Sequence, residues 1–344
     1  MINRVLFLIY LMLIFLFTII FHGEASNMKQ KLKKEFNQIK TIDVIKVKFG
    51  SGPDNIGILT PEEANPEGPM SFTLGKDEEI YILDQINSRI QVFKKGKRIN
   101  TIQIPAEESK DFRDIELTPD NKIILLRRFY IDGREKTALY ILDLNGRVLN
   151  KISLDDGKLI PDSGMVLGIN VIKEGRFSGI WVELGDAGFI RSVRIVSLDR
   201  KLFERISVPG RLSLNGKRLL RAEKVGDITA VIYRSEEHSL SKWEPEHIIY
   251  FDRSIVHLVG IWDDRKERIY LGAFLEDEDK KKIEKLSNEV VVLSQDLKQM
   301  GRVKLFSQEA PHEIWRSIRV SNEGNIYQMF VNKNELVMRK YIFE

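Results

Sequence analysis

Six short segments of this chain share one pattern, a polar side chain held between two apolar neighbours within a run of β-forming residues. They are Phe72-Thr73-Leu74, Ile115-Glu116-Leu117, Ile169-Asn170-Val171, Leu220-Arg221-Ala222, Val256-His257-Leu258 and Ile318-Arg319-Val320. Side chains alternate between the two faces of a strand, so each framed residue points away from both neighbours. If the six runs stand around a common axis, Thr73, Glu116, Asn170, Arg221, His257 and Arg319 form a polar ring. Two arginines against one glutamate would suit a polar or anionic ligand, because guanidinium forks match carboxylate and phosphate oxygens. The plainer reading is that Glu116 pairs with an arginine and water fills the rest.

A second constellation, Asp84, Asn87 and Arg89, sits in the turn of IYILDQINSRIQVF, residues 80–93. Here a structural job is favoured over a binding site. Asp and Asn accept backbone N–H groups in short turns, and Arg89 has five donors with which to bridge back to oxygen atoms. The segment GSGPDNIGILTPEEANPEGP, residues 50–69, is expected on the same face of the molecule. It is long for a connection and reads either as a ligand-facing lid or as a rigid surface loop.

Signals for catalysis are few. The histidines are His22, His238, His247, His257 and His312, and none is spaced as a helical zinc pair. There is no G-x-S-x-G elbow and no phosphate loop. The acidic run Glu276-Asp277-Glu278-Asp279 lacks the alternating ligands and central glycine of a calcium loop. Trp181, Trp243, Trp262 and Trp315 read as packing residues rather than a ligand cage. No catalytic residue is assigned, and the sequence requires no cofactor.

The elements that must position these residues repeat. Apolar-aromatic runs begin at IYIL (80), IILL (123), IWVE (180), ITAVIY (228), IYLG (269) and IYQM (326). Each is followed by a second run, at IQVF (90), LYIL (139), VRIV (193), HIIYF (247), VVVL (290) and LVMRKYI (336). Before them stand the inner runs that carry the ring, with RLLRA at 218 as that of the fourth unit and HLVGI at 257 as that of the fifth. A recurrence of roughly 40 to 60 residues is the range of propeller blades. Units 1, 2, 3 and 5 add a fourth strand (INTIQI, VLNKISL, LFERISV and RVKLF), and unit 4 shows no clear one. Unit 6 ends at Phe343 without one, and TIDVIKVKF, residues 41–49, is the expected supplier. A ring closed in this way leaves no open sheet edge. The charged stretch 276–289 reads as an insertion of one or two helical turns.

One unit carries a family resemblance. GPMSFTLGKDEEIYILDQINSRIQVFKKGKRINTIQIP, residues 68–105, resembles an NHL repeat in its inner strand, its D-x-x-N-x-R element, its I-Q-V-F strand and its glycine turn. The N-x-R element is absent from the other units, so the likeness is clear over 68–105 and partial over 41–344. It implies a six-bladed all-β propeller. It leaves function open, since such propellers include lyases, lactonase-like enzymes, RNA-binding modules and sensor domains.

Composition and the N-terminus narrow the classes. The chain has 344 residues, no cysteine and a net charge of +4, with basic and acidic residues interleaved. Disulfides, thiolate metal sites and a cysteine nucleophile are excluded, and no nucleic-acid partner is expected. VLFLIYLMLIFLFTIIF, residues 5–21, carries no charge and is apolar on every face. Residues 1–26 therefore read as a signal peptide or membrane anchor, 27–40 as a basic linker and 41–344 as the propeller. Small residues around Ala25 favour export, secreted or membrane-tethered, whereas lysines 29, 31, 33, 34 and 40 would favour keeping the domain inside. The leading expectation is a non-catalytic extracytoplasmic binding propeller whose partner is a small polar or anionic ligand or a protein. The alternative is a propeller enzyme, a lyase or hydrolase, with a calcium or zinc ion in its channel.

Overall fold

A computed structural model describes residues 39–155, 157–186, 189–198, 205–236, 243, 245–276, 287–307, 312–332 and 334–343. The leader, most of the linker and residues 277–286 of the charged stretch 276–289 lie outside the described residues, as do His22 and His238, and the end of that stretch, Ser287–Glu289, is strand rather than helix. Among the described residues, no helix is long and apolar enough to cross a membrane.

The alternating apolar runs have become strands of six four-stranded antiparallel sheets, each an up-and-down meander. The first strand is β1 (Ile39–Lys48). Blade 1 holds β2 (Phe72–Leu74), β3 (Ile80–Asp84), β4 (Arg89–Lys94) and β5 (Lys97–Gln103). Blade 2 holds β6 (Phe112–Leu117), β7 (Ile123–Ile131), β8 (Arg134–Leu142) and β9 (Val148–Ser153). Blade 3 holds β10 (Val166–Ile172), β11 (Gly179–Asp186), β12 (Phe189–Val196) and β13 (Ser207–Pro209). Blade 4 holds β14 (Arg211–Leu212), β15 (Arg218–Gly226), β16 (Thr229–Glu236) and β17 (Pro245–Tyr250). Blade 5 holds β18 (Ile255–Asp263), β19 (Ile269–Leu275), β20 (Ser287–Leu293) and β21 (Gln299–Lys304). Blade 6 holds β22 (Ile318–Val320), β23 (Ile326–Asn332) and β24 (Glu335–Phe343), with β1 as its fourth strand.

The chain is thus an all-β six-bladed propeller closed by its N-terminal strand. β1 pairs with β24 from Ile39 opposite Phe343 to Lys48 opposite Glu335. This ties the two ends of the described chain together and covers the edge that β24 would otherwise expose. The core is not central. Six apolar clusters each straddle two neighbouring blades, and the one between blades 6 and 1 contains Ile45, Val47, Phe72, Ile82, Met329 and Met338. Each blade is therefore apolar on both faces, which is why its middle strands read as continuous apolar runs.

Two expectations need correction. In the fourth unit the inner strand is not RLLRA but the two-residue β14, and RLLRA begins the second strand, β15. The run at 247 is accordingly the outer strand β17, which supplies the fourth strand that seemed to be missing. A strand of two residues between Gly210 and the turn at 213–217 is too short to show alternation. In the fifth unit β18 is nine residues long, with register shifts between Ile255 and His257 and between Leu258 and Gly260. Those bulges break the alternation by which His257 was placed on the ring.

The ends of the channel differ in what they carry. The turns between first and second strands of all six blades lie at one end, here the turn end. At the other end lie the blade-to-blade connections, including residues 49–71, and the β3–β4 turn. Ile39 pairs with Phe343, and Tyr341 pairs with Ile326, so the chain enters blade 6 at the turn end.

Candidate functional site

The ring position is marked by the turn that follows it. Two residues after the ring, Thr118, Ser213, Asp264 and Ser321 each accept the N–H of the residue that closes the turn. The bonds come from Lys122 (2.9 Å), Arg218 (3.0 Å), Arg268 (3.0 Å) and Asn325 (3.2 Å). Counting back gives Glu116, Arg211, Trp262 and Arg319, and the corresponding residues of blades 1 and 3 are Thr73 and Asn170. These six line a cavity of about 720 Å³ that opens at the turn end.

Four of the six expected ring residues are therefore in place: Thr73, Glu116, Asn170 and Arg319. Arg221 is not. On β15 it forms an ion pair with Glu223, and its guanidinium lies 5.5 Å from the Tyr233 ring centre. His257 is not there either. It sits near the start of β18 with its ring 4.4 Å from that of Phe274, and burial lowers its pKa. Arg211 and Trp262 take their places. The Ser/Thr/Asp two residues downstream was the signal that could have found both.

Half of the ring is closed on itself. Arg319 of blade 6 donates to Glu116, and to Asp114 and the carbonyl oxygens of Phe72 and Ile115, these last three at 3.0 Å. Thr73 adds a hydroxyl bond to Glu116 (2.8 Å). Blades 6, 1 and 2 are thereby strapped together, and Glu116 does pair with an arginine.

Beneath the ring the channel is filled by charge. Arg316, from the connection into β22, donates to Asp114 (2.9 Å), to the Ile169 carbonyl (2.5 Å) and to Glu183 of β11 (2.9 Å). Asp114 also accepts from the Ser71 hydroxyl (2.6 Å), Ile115 N (3.0 Å) and Ile169 N (2.8 Å). Burial alone would raise its pKa, but Arg316, Arg319 and those hydrogen bonds outweigh it and hold the carboxyl below its ordinary range. Arg211 completes the cluster, with Nε 3.1 Å from Glu183 and Nη1 on the Ile261 carbonyl (3.0 Å). Gly168 makes room for this plug. A Cβ there would lie 2.9 Å from both Arg316 Nη1 and Asp114 Oδ2. Asp114, Glu116 and Glu183 are balanced by Arg211, Arg316 and Arg319, and of the two arginines expected to attract an anion Arg319 is spent on carboxylates here and Arg221 on Glu223 off the ring.

The opposite end is clamped. Asp84 accepts from Gly57 N (2.8 Å), Asn87 (3.0 Å) and Arg89 (2.8 Å). Arg89 in turn donates to the carbonyls of Gly52 (2.8 Å) and Asn55 (2.7 Å), and Asn87 to that of Gly50 (3.0 Å). The turn thus locks residues 50–57 in place, so that stretch is a fixed part of the wall. Trp315 extends the seal by donating its indole N–H to the Leu167 carbonyl (2.8 Å). Next to it His312 is half-buried against Phe49, its Nε2 has no partner among the described residues, and burial pulls its pKa down to about 4.

In the cavity wall, Asp263 accepts the N–H of Leu214 at 2.9 and 3.0 Å to its two oxygens. Burial raises its pKa to about 7 against the pull of that bond and of Arg211. Trp181, Trp243 and Trp262 pack in the clusters between blades, as the sequence suggested. Among the described residues, no group of three His, Asp or Glu side chains is arranged to hold a metal ion.

No family model matches the chain, and no curated protein matches it. Solved structures do. A member of the DUF4221 family from Bacteroides vulgatus is similar over 89% of this chain and 99% of its own, with 10% identity and a TM-score of 0.49. Virginiamycin B lyase from Staphylococcus aureus is similar over 89% and 100%, with 12% identity and a TM-score of 0.40. A gluconolactonase from Xanthomonas campestris covers 77% and 83%, with 10% identity and a TM-score of 0.42. At such identities the likeness concerns the fold alone.

Proposed function

We propose that this chain is a non-catalytic binding propeller that holds a small polar ligand in the cavity at the turn end of its channel. The observation that carries the reading is the commitment of Asp114, Glu116 and Glu183 to arginines. An axis filled by paired charge is a structural plug, and what remains open is the cavity above it. Similar structures include a lyase and a gluconolactonase alongside a protein named only by its family, and they do not decide between binder and enzyme. One observation favours the enzyme alternative. Asp263, a cavity carboxyl that titrates near neutrality, is suited to exchanging a proton with a bound molecule. Its place between Leu214 N and Arg211 equally suits a structural tie, and the binding reading keeps it as a wall residue.

Export, with residues 5–21 as anchor or leader, belongs to the same proposal, as does kinship with NHL-repeat propellers on the strength of residues 68–105. If the anchor is retained, the cavity opens on the side from which the chain leaves for the membrane. The test is a thermal-shift screen of the purified full chain against polar metabolites and metal ions, with each hit re-examined for turnover by NMR. A ligand that stabilises the fold without being consumed supports the proposal. Consumption of the hit, lost in Asp263→Asn, overturns it in favour of the enzyme. Protease accessibility of the domain in intact cells tests the location.

A further inference from the structure

The polar ring is followed, one residue on, by a second ring that is apolar in five blades. Its members are Leu74, Leu117, Val171, Leu212 and Val320, and all of them line the cavity. In blade 5 the same position is Asp263, between Trp262 and Asp264. A carboxyl set into an apolar belt is unfavourable when ionised, as its raised pKa shows. Departures of this kind concentrate at functional sites. The other carboxylates of the cavity wall are already matched. Asp77 pairs with Lys94, Glu78 with Lys340, Glu116 with Arg319 and Glu323 with Arg265. Asp263 is partly exposed and forms no ion pair among the described residues. The Leu214 N–H is shared between its two oxygens, which leaves most of the roughly four acceptor sites of a carboxylate open.

An unmatched carboxylate in an apolar belt defines the group that is missing. We infer that Asp263 receives the cationic head, an ammonium or amidinium, of a small ligand whose apolar part lies against Leu74, Leu117, Leu214 and Val320. The inference rests on the binding proposal above and narrows it to a ligand class. Those four side chains are partly exposed, and a cavity of about 720 Å³ is of the size that takes small molecules. A charge-assisted hydrogen bond to a partly desolvated carboxylate is of the strong kind. The cations around Asp263 are engaged elsewhere. Arg211 of blade 4 is held by Glu183 and the Ile261 carbonyl, and Arg268 by Asp264. Lys76 and Lys173 stand exposed at the rim in blades 1 and 3, where salt screens them. The ionisable groups that act on Asp263 are Arg211 of β14, Asp264 on its own strand end and Tyr270 of β19. A cationic head binds the ionised carboxylate and competes with its proton. Binding is accordingly tighter at pH 8 than at pH 6.

The experiment is calorimetric titration of the full chain in detergent with three probes that share one apolar body, namely benzylamine, benzyl alcohol and benzoate, at constant ionic strength. Benzylamine is a cation throughout pH 6–8. The expected result at pH 8 is saturable binding of benzylamine, at least ten-fold tighter than that of either other probe. Asp263→Asn, which keeps the shape and removes the charge, weakens benzylamine at least ten-fold. Asp77→Asn, at the rim, changes it less than two-fold. In the wild type the affinity for benzylamine rises about ten-fold from pH 6 to pH 8, as does the ionised fraction of a group titrating near 7, and it stays level in Asp263→Asn. Removing a costly buried charge does not destabilise the fold at pH 8, so loss of binding in that variant is not loss of structure. Benzyl alcohol or benzoate binding as tightly as benzylamine overturns the inference, and so does benzylamine binding that ignores Asp263→Asn. A metabolite screen whose hits are all neutral or anionic overturns it too, although the binding proposal then stands. If nothing of any class binds the folded chain, the binding proposal itself fails.

Discussion

The two mouths of this channel are built from the same blade repeats, yet one is shut and the other open. At the clamped end, the turn Asp84-Asn87-Arg89 reaches sideways and spends its side chains on carbonyl oxygens of residues 50–55, while Trp315 and Arg316 reach across to blades 2 and 3. At the turn end, the ring residues Thr73, Glu116, Arg211 and Arg319 are spent in the same way on one another, on Asp114 and on Glu183, yet a cavity of about 720 Å³ stays open above them. The difference teaches where to look for function. A polar constellation that satisfies itself holds blades together. By that criterion the conspicuous motif at Asp84 is structural, and the candidate site is the cavity left open at the turn end.

The comparison breaks most severely at the plug. Asp114→Ala leaves Arg316 and Arg319 buried without their shared carboxylate, and removing one partner of a buried charge network costs about 3–5 kcal/mol. Urea midpoints measured at constant slope should show a loss at the upper end of that range. Arg316→Met removes the cation instead and exposes Asp114 and Glu183 to each other. Its cost should be comparable, and a variant within about 1 kcal/mol of the wild type would contradict the plug.

Each mouth also holds a group whose pKa burial shifts by a large amount, Asp263 at the open one and His312 at the clamped one, and their signs are opposite. For Asp263 the folded pKa, about 7, lies above the value of 3.8 for the free side chain, so the folded state holds a proton that the unfolded chain has lost between these pH values. Its stabilising contribution is complete below pH 4 and is lost as pH rises toward 7, by up to about 4 kcal/mol. Asp263→Asn should therefore match the wild type in acid and exceed it above neutrality. A wild type with the flatter pH profile would contradict the assignment.

At the clamped mouth, Asp84→Ala strands Arg89, which is 7% exposed, and frees Gly57 N. About 3 kcal/mol is expected from the unpaired buried charge. Hydrogen exchange should rise over residues 50–57 while the affinity of any cavity ligand is unchanged. Equal loss at both mouths would show that they are coupled and would remove the distinction drawn above.

How much of this was legible in the sequence follows from the physics of each part. The blades were legible because their middle strands are apolar on both faces, and the closing strand because Phe343 ends a blade one strand short. The Asp84 turn was legible as structural because the other blades lack it, although its real partner, residues 50–57, is distant in sequence from the turn. The ring was legible wherever the inner strand alternates, which gave Thr73, Glu116, Asn170 and Arg319. It was lost where β14 shrinks to two residues and where β18 bulges twice, because alternation is the only sequence trace of an inward-facing side chain. The pairing of Arg316 with Asp114 joins residues 202 apart, and no local pattern encodes it.

The smallest expected effect is at His312, and it sharpens the comparison through its sign. Its pKa falls to about 4 from the ordinary 6.5 because burial against Phe49 disfavours the cation. The unfolded chain then takes up a proton before the folded one does, and stability is lost as pH drops from 6.5 toward 4. Partial exposure of the ring reduces the effect to about 1–2 kcal/mol. Below pH 6.5 this loss runs against the gain from Asp263, so the wild-type profile in that range is shallower than either group alone would give. Removing one group unmasks the other. His312→Phe should steepen the rise in stability toward acid, and Asp263→Asn should turn that rise into a fall. The double variant should keep only the smaller slope that His257, lowered by burial, and Glu289, raised by burial, leave between pH 4 and pH 7, and a slope as steep as that of either single variant would contradict both assignments.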